Sequence, residues 1–261
     1  HYCADCRYDL KKLSDNEYIL SVTVSDKWLN SKDTVYPVTI DPTTSNISNH
    51  FDAGVYSSKS SNNYGNEQTC CFGRASEYGY GRVYTHFTMP TAIKKYATIN
   101  SAYIWERETT GRTTTTYVTP YMVTGSWSET AITWSNKPGY NSSTAMTKKN
   151  INSKSTDDSS NQYWYKFDIK TAVKKWTDGA ANYGLVFLSN EESNGAYNWR
   201  AFTSRTYSSS AMRPYTVINY TNDTTAPTAP SVSGNPSSWT NGNITLTAKS
   251  TDSASGVSHY S

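Results

Sequence analysis

The sequence predicts an all-β protein: a two-sheet antiparallel β-sandwich, jelly-roll-like, with one short helix and partial β domains on either side. Three observations carry that prediction. From about Asn46 to Tyr220, short stretches alternate apolar and polar residues between Gly, Asn and Ser clusters, which suits a sandwich rather than a βαβ fold. Hydrophobic residues make up only 36% of the chain, yet 22 Tyr and 8 Trp supply apolar area on rings that keep a hydrogen-bonding edge, and such residues favour strands. A single stretch, near residues 169–176, carries a helical period instead.

Taken in order, Glu17 to Val24 and Tyr36 to Pro42 read as two alternating strands joined by a polar connection. Two strands alone are marginal in water. Residues 1–44 are therefore expected to be the C-terminal strands of a preceding domain, and residues 45–220 the central sandwich. A region of about 170 residues can bury roughly 70% of the surface its unfolded chain exposes, enough for a core of its own. Within it, Ile169, Val173 and Trp176 fall at i, i+4 and i+7, which predicts a helix from about Ile169 to Thr177 with Asp168 at its amino end and Gly179 just past its last turn. Asn141 to Gln162 is polar and without period, and reads as a long exposed loop. Residues 221–230, with Thr224-Thr225-Ala226-Pro227-Thr228-Ala229-Pro230, have the composition of a semi-extended linker.

Charge is unevenly placed. Residues 45–220 hold 18 basic against 12 acidic side chains, a balance of +6, whereas residues 1–44 and 221–261 are slightly acidic. That balance favours polyanionic partners, or else marks solvated faces at Lys94-Lys95, Lys148-Lys149 and Lys174-Lys175. No apolar run is long enough to cross a membrane as a helix, so membrane insertion is not expected. The chain opens on His1 without a charged-then-apolar leader, so we expect a piece of a longer polypeptide whose export signal lies elsewhere.

The sequence carries no nucleophile-elbow, phosphate-loop or zinc-metalloprotease motif. There is no Gly-x-Ser-x-Gly, no phosphate-cradling Gly loop and no His-Glu-x-x-His, and the four histidines are far apart in sequence. Carboxylate pairs of the kind a glycosidase uses occur at Glu106 with Glu108, Asp157 with Asp158 and Glu191 with Glu192. Cys3 and Cys6 have the spacing of half a zinc site, but adjacent Cys70 and Cys71 point apart in a strand and make a poor second half. One of the latter two is expected to be a small buried apolar residue.

A run of motifs then points to a family. In order come Asn63-Tyr64-Gly65, Arg82-Val83-Tyr84-Thr85-His86-Phe87, Ile99 to Ile104, Trp127-Ser128-Glu129-Thr130-Ala131-Ile132-Thr133-Trp134-Ser135-Asn136-Lys137-Pro138, Phe167 to Trp176, Asn182 to Phe187 and Arg213 to Tyr220. Together they make residues from about 50 to 220 resemble the DNRLRE domain, a module of bacterial secreted and surface proteins related to carbohydrate-binding modules. Past the linker, Trp239 to Thr247 and Thr251 to Val257 resemble the opening strands of a bacterial immunoglobulin-like repeat, truncated here at residues 231–261. Residues 28–42 likewise resemble the segment preceding such modules in large repeat-containing surface proteins.

The resemblance implies that Ala102 and Ile104 face the core and that Trp127, Trp134 and Trp176 belong to the scaffold. Alternation then turns Tyr103, Trp105 and Arg107 outward, and by the same rule Arg82, Tyr84 and His86. If their strands lie side by side, the two triplets form one aromatic and basic face on which rings stack on sugars and Arg forks hold carboxylate or sulfate. The other reading is that loops or a flanking module cover this face. Carbohydrate-binding sandwiches often carry a structural calcium, for which Asp52, Glu67 and Asp178 are the candidate ligands; no other cofactor is expected. The function expected is a non-catalytic module of a secreted or cell-wall-associated protein that binds polysaccharide or an anionic wall polymer and contacts adjacent domains of its own polypeptide, with no nucleic-acid partner. A purely structural spacer is the alternative, and a glycan-active enzyme stands third.

Overall fold

The computed structural model of the protein describes residues 7–14, 17–32, 43–111, 115–152, 163–190 and 197–252. The chain divides into two compact units, residues 1–41 and 42–261. In the first, strand β1 (Arg7–Ser14) pairs antiparallel with β2 (Glu17–Thr23), and one helical turn, α1 (Asp26–Leu29), follows. The Ser25 hydroxyl caps that turn by accepting the Trp28 amide. The expected strand at 17–24 is thus present, and its partner lies within this chain, in the charge-rich Arg7–Ser14 stretch that the pattern left unassigned. The expected strand at 36–42 lies outside the described residues.

The second unit contains β3 (Thr43–Ile47), β4 (His50–Tyr56), β5 (Thr69–Ala75), β6 (Gly79–Phe87), β7 (Thr98–Gly111), β8 (Thr116–Met122), β9 (Lys149–Ile151), β10 (Trp164–Asp168), helix α2 (Lys170–Thr177), β11 (Leu185–Ser189), β12 (Trp199–Thr203) and β13 (Tyr215–Thr221), then a hairpin of β14 (Ser231–Ser233) and β15 (Thr247–Lys249). Every strand pairing is antiparallel, and the fold is an all-β sandwich. A front layer runs β3-β13-β7-β10. A back layer is built on β6, which pairs with β4, β5 and β11; β8 and β9 extend it beyond β11, and β12 beyond β5. Strand β7 belongs to both layers: Thr98 to Arg107 pair in the front, while Glu108 to Gly111 pair with β12, in a register that shifts just past the point where β7 changes partners.

Between the layers the inward residues of each strand meet. Phe167 of β10 packs edge-on against Phe187 of β11 with ring centroids 5.0 Å apart, and Phe187 meets Phe202 of β12 at 5.9 Å. Helix α2 adds Ile169, Val173 and Trp176 to this core, with Trp176 edge-on to Phe87. Its amino end is held by the Asp168 carboxylate, which accepts the Lys170 amide at 2.9 Å. At its carboxyl end the amides of Gly179 and Ala180 donate to the carbonyls of Trp176 and Lys175, a Schellman closure with Gly179 at φ +107°. The expected exposed loop at 141–162 needs correction over its first half. Lys149–Ile151 forms β9, whose Ile151 is fully buried beside β8, because one apolar residue suffices to seat a three-residue edge strand. Residues 153–162 lie outside the described residues.

Glu106 and Glu108 project inward and are 2% and 3% exposed. Glu108 pairs with the fully buried Arg200 and accepts a hydrogen bond from the Tyr165 hydroxyl at 3.2 Å. Burial, with Asp52 adding to it, pushes the Glu106 carboxyl well above the usual range. These two carboxylates therefore line the core rather than an open cleft. The pairs at 157–158 and 191–192 lie outside the described residues.

Candidate functional site

Strand β7 alternates from Ala102 to Glu108, with even positions buried in the sandwich and Tyr103, Trp105 and Arg107 on the outer face of the front layer. The register places Tyr215, Trp105 and Lys166 in one row across β13, β7 and β10, with Val217, Tyr103 and Asp168 in the next and Arg107 beside Trp164. Side chains opposite one another on adjacent strands touch. The Trp105 and Tyr215 rings accordingly lie parallel within 11° at 5.8 Å, and Trp164 meets Tyr215 edge-on at 5.3 Å. The Lys166 ammonium sits 4.7 Å from the Tyr103 ring and 5.5 Å from Trp105, and the Arg107 guanidinium lies over Tyr163. Trp105, Tyr103 and Tyr215 remain partly exposed. Past Tyr215, toward the edge strand β3, the surface opens into a depression of about 470 Å³ lined by Asn46, Ser48, Ser210, Arg213 and Tyr215.

The second predicted triplet lies elsewhere. Strand β6 does not pair with β7, and its outward residues belong to the opposite layer, so Arg82, Tyr84 and His86 share no face with Tyr103, Trp105 and Arg107. Tyr84 does turn away from the main core but is 0% exposed. Together with Ala53, Val55 and Val186 of neighbouring strands it forms a second core, covered by the segment from Val123 to Tyr140. Its hydroxyl donates to the Pro138 carbonyl at 2.8 Å, and its ring meets Trp127 edge-on. Arg82 lies 5.1 Å from the Trp134 ring and 5.5 Å from Tyr140. His86 is half-buried beside Phe51, and desolvation lowers its pKa. Trp127 and Trp134 thus pack on this second core and Trp176 on the main one.

The covering segment is fastened by the family-like motifs. Glu129, 5% exposed, accepts the Asp52 amide at 2.9 Å and forks onto Arg205, whose own amide donates to the Asp52 carboxylate at 2.8 Å. Asn63 donates to the carbonyls of Glu129 and Ile132 and accepts the Gly65 amide; a Cβ on Gly65 would stand 2.0 Å from the Glu129 carbonyl oxygen. Asn182 repeats the device. It donates to Phe87 and accepts the Gly184 amide, Gly184 adopts φ +81° with its Cα face against Thr85, and the intervening Tyr183 carbonyl accepts the Trp127 indole N–H. Two Asn-Tyr-Gly turns and one Glu-Arg fork therefore lock the Trp127 to Pro138 motif to the back layer. The resemblance implied a scaffold role for Trp127 and Trp134, but nothing in the sequence marks Glu129, Arg205 and Asp52 as partners, since they lie far apart in the chain.

Asp52, Glu67 and Asp178 do not form a common site. Asp52 is buried in the clasp and its pKa is raised to about 7, first by desolvation and also by Glu129. Glu67 is exposed and offers its carbonyl to Ser204 and Thr206, while Asp178 caps α2 and pairs with Lys174. Among the described residues, no group of three His, Cys, Asp or Glu side chains is placed to hold a metal ion. Cys70 is a buried core residue and Cys71 a half-buried free thiol; burial raises both, Cys71 to about 11. Cys3 and Cys6 lie outside the described residues.

Residues 43–220 match Carbohydrate-binding module family 96, more than half of the chain, and the chain belongs to that family. It is also similar to the tRNA nuclease WapA of Bacillus subtilis (strain 168), at 31% identity over 224 residues, which is 80% of this chain. The tRNA(Glu)-specific nuclease WapA of Bacillus subtilis subsp. natto is equally similar, and the tRNA3(Ser)-specific nuclease WapA of Bacillus spizizenii is 30% identical over the same length. The chain spans about 9% of the length of these relatives.

Proposed function

We propose that this member of Carbohydrate-binding module family 96 is a non-catalytic glycan-binding module within a longer bacterial protein at the cell surface or secreted from it. The sandwich at 45–220, of DNRLRE type, is the binding unit; residues 221–230 link it to the start of an immunoglobulin-like domain at 231–261, and residues 1–44 close a preceding domain. The ligand is an acidic polysaccharide or anionic wall polymer laid across the outer face of the front layer. The observation that carries this reading is the parallel pair of Trp105 and Tyr215, flanked by Tyr103 and by the cations Lys166 and Arg107. Flat rings take the apolar face of a sugar ring, and cations alongside favour carboxylate or sulfate over hydroxyl. The Arg82, Tyr84 and His86 group has no part in it, because the Val123 to Tyr140 segment occupies its face. A structural calcium is not required by this reading.

Calorimetric titration of the chain with acidic and neutral oligosaccharides tests it. Trp105→Ala is expected to weaken glycan binding at any salt concentration by removing stacking area. Arg107→Ala should weaken it chiefly at low salt, where screening is slight. Unchanged affinity in both variants overturns the assignment. The tRNA nuclease activity in the relatives' names belongs to proteins of which this chain spans about 9%, and we assign the module no nucleic-acid partner; titration with tRNA should give no binding that Trp105→Ala removes. The spacer reading is favoured by the same small share and by the separate unit at 1–41. Absence of binding to every glycan on an array would leave it standing.

A further inference from the structure

Resting on the reading of the front face as a glycan platform, we infer that the depression beside Tyr215 is a subsite for one acidic sugar unit, with Arg213 as the residue that selects the acid. Arg213 lies just before β13 and lines the depression. Its Nε donates to the Tyr207 carbonyl at 2.8 Å, which fixes the plane of the guanidinium. Among the described residues its two terminal nitrogens make no hydrogen bond, so the fork that matches a carboxylate or sulfate in bidentate geometry is fixed in plane and unused beside the depression. Among the described residues no acidic side chain lines the depression; its other polar groups are Asn46, Ser48 and Ser210, suited to sugar hydroxyls, and Ile47 and Ala211 complete the lining. At about 470 Å³ the space falls within the roughly 300–1,000 Å³ of small-ligand sites.

Tyr215 lines the depression and stacks on Trp105, so the ring row and the cavity are one continuous surface that crosses the strands rather than following them. Lys166 and Trp105 stand two strands and one strand from the depression, about 10 Å and 5 Å at ordinary strand spacing. A glycan stacked along the row therefore delivers its next unit to Arg213. Platform and subsite divide the work: the rings supply affinity for any sugar chain with an apolar face, and Arg213 supplies preference for the charged one.

The test is titration of the full chain with uronic-acid hexamers of several sugar configurations, each beside its carboxyl-reduced neutral counterpart, and with a sulfated hexamer. Arg213→Gln is expected to lower affinity for the acidic hexamers at least tenfold while changing the neutral ones less than about twofold. Arg213→Lys, which keeps the charge and loses the fork, should fall between. Ser48→Tyr, which fills the depression without touching the Tyr207 contact, carries the same test should Arg213→Gln lower the melting temperature. Preference for uronate over sulfate, or the reverse, identifies which acid the fork takes. Retained preference for acidic over neutral hexamers in both Arg213→Gln and Ser48→Tyr, with Trp105→Ala weakening all of them, overturns the subsite and leaves the platform. No binding of any acidic hexamer to the wild-type chain overturns both.

Discussion

On the back layer, Tyr84 points away from the main core and is wholly buried; on the front layer, Trp105 points away from the same core and keeps part of its ring in solvent. Both sit at alternate positions of a long strand with a basic residue two places away, Arg82 in one case and Arg107 in the other. What separates them is a segment distant in sequence. Val123 to Tyr140 lies over the back face and carries Trp127, Ile132 and Trp134 into contact with it, so an outward ring becomes the centre of a second core. Nothing among the described residues covers Trp105 in the same way, so its ring remains available to a ligand. An outward aromatic residue is thus core or platform according to what closes over it, and strand alternation is silent on that.

The strongest way to break this contrast is to unfasten the cover. Glu129→Ala removes the fork to Arg205 and the acceptor of the Asp52 amide, leaving a guanidinium without its partner over a buried face. We expect a loss of about 4 kcal/mol in denaturant unfolding, with the Tyr84 ring becoming accessible to solvent while glycan binding by the folded fraction persists. A loss of under about 1 kcal/mol would show that the hydrophobic contacts alone hold the segment down.

The same clasp should give the module a pH dependence. Asp52 is raised from 3.8 to about 7 in the folded state, so it takes up a proton on folding between those values, and the stability it contributes is lost as pH rises through that window. His50, stacked on Phe87 and lowered from 6.5 to about 4 by burial, works in the opposite sense: its contribution is present above 6.5 and lost as pH falls toward 4. The two slopes oppose each other between pH 4 and 6.5. Asp52→Asn, which mimics the protonated acid, should therefore leave stability rising with pH across that interval and be more stable than the wild type at pH 7 by about 3 kcal/mol. Parallel stability profiles for variant and wild type would refute the shift.

Two milder substitutions separate the buried ring from the exposed one. Tyr84→Phe keeps the ring and loses the hydrogen bond to Pro138, for an expected cost of about 1 kcal/mol and no change in glycan affinity. Trp105→Ala should cost less than about 1 kcal/mol of stability, since its ring is partly exposed and lies outside the main core, while it removes most of the glycan affinity. A stability loss comparable with that of Glu129→Ala would mark Trp105 as a core residue instead.

Much of this was legible in the chain. The resemblance implied that Ala102 and Ile104 face inward, and alternation then placed Tyr103, Trp105 and Arg107 on the outer side, because a strand's period of two is a local property. The stripe of Ile169, Val173 and Trp176, with Asp168 before it and Gly179 after, marked α2 to within a residue for the same reason. Pairing was not legible: β6 and β7 are neighbours in sequence yet do not pair, the Tyr103 to Arg107 part of β7 lies in the front layer, and the expected joint face of Arg82 with Arg107 does not exist. Ile151 escaped notice because a three-residue edge strand has too little pattern to read. The second core escaped because its residues come from β4, β6, β11 and the 123–140 segment, which no window of sequence contains together.

Local pattern in the chain specified the fold class, the alternation of the long strands and helix α2 with both its ends, all of which rest on local backbone geometry and side-chain period, and the ordered motifs pointed to kinship with carbohydrate-binding modules. Only the tertiary structure decided which outward face was covered, that Glu129, Arg205 and Asp52 form one clasp, that Tyr215 completes the row with Trp105, and that Arg213 presents its fork to a depression. Those are relations between strands whose neighbours are fixed by packing, and the energy that chooses them is gained only when distant segments exclude water from one another.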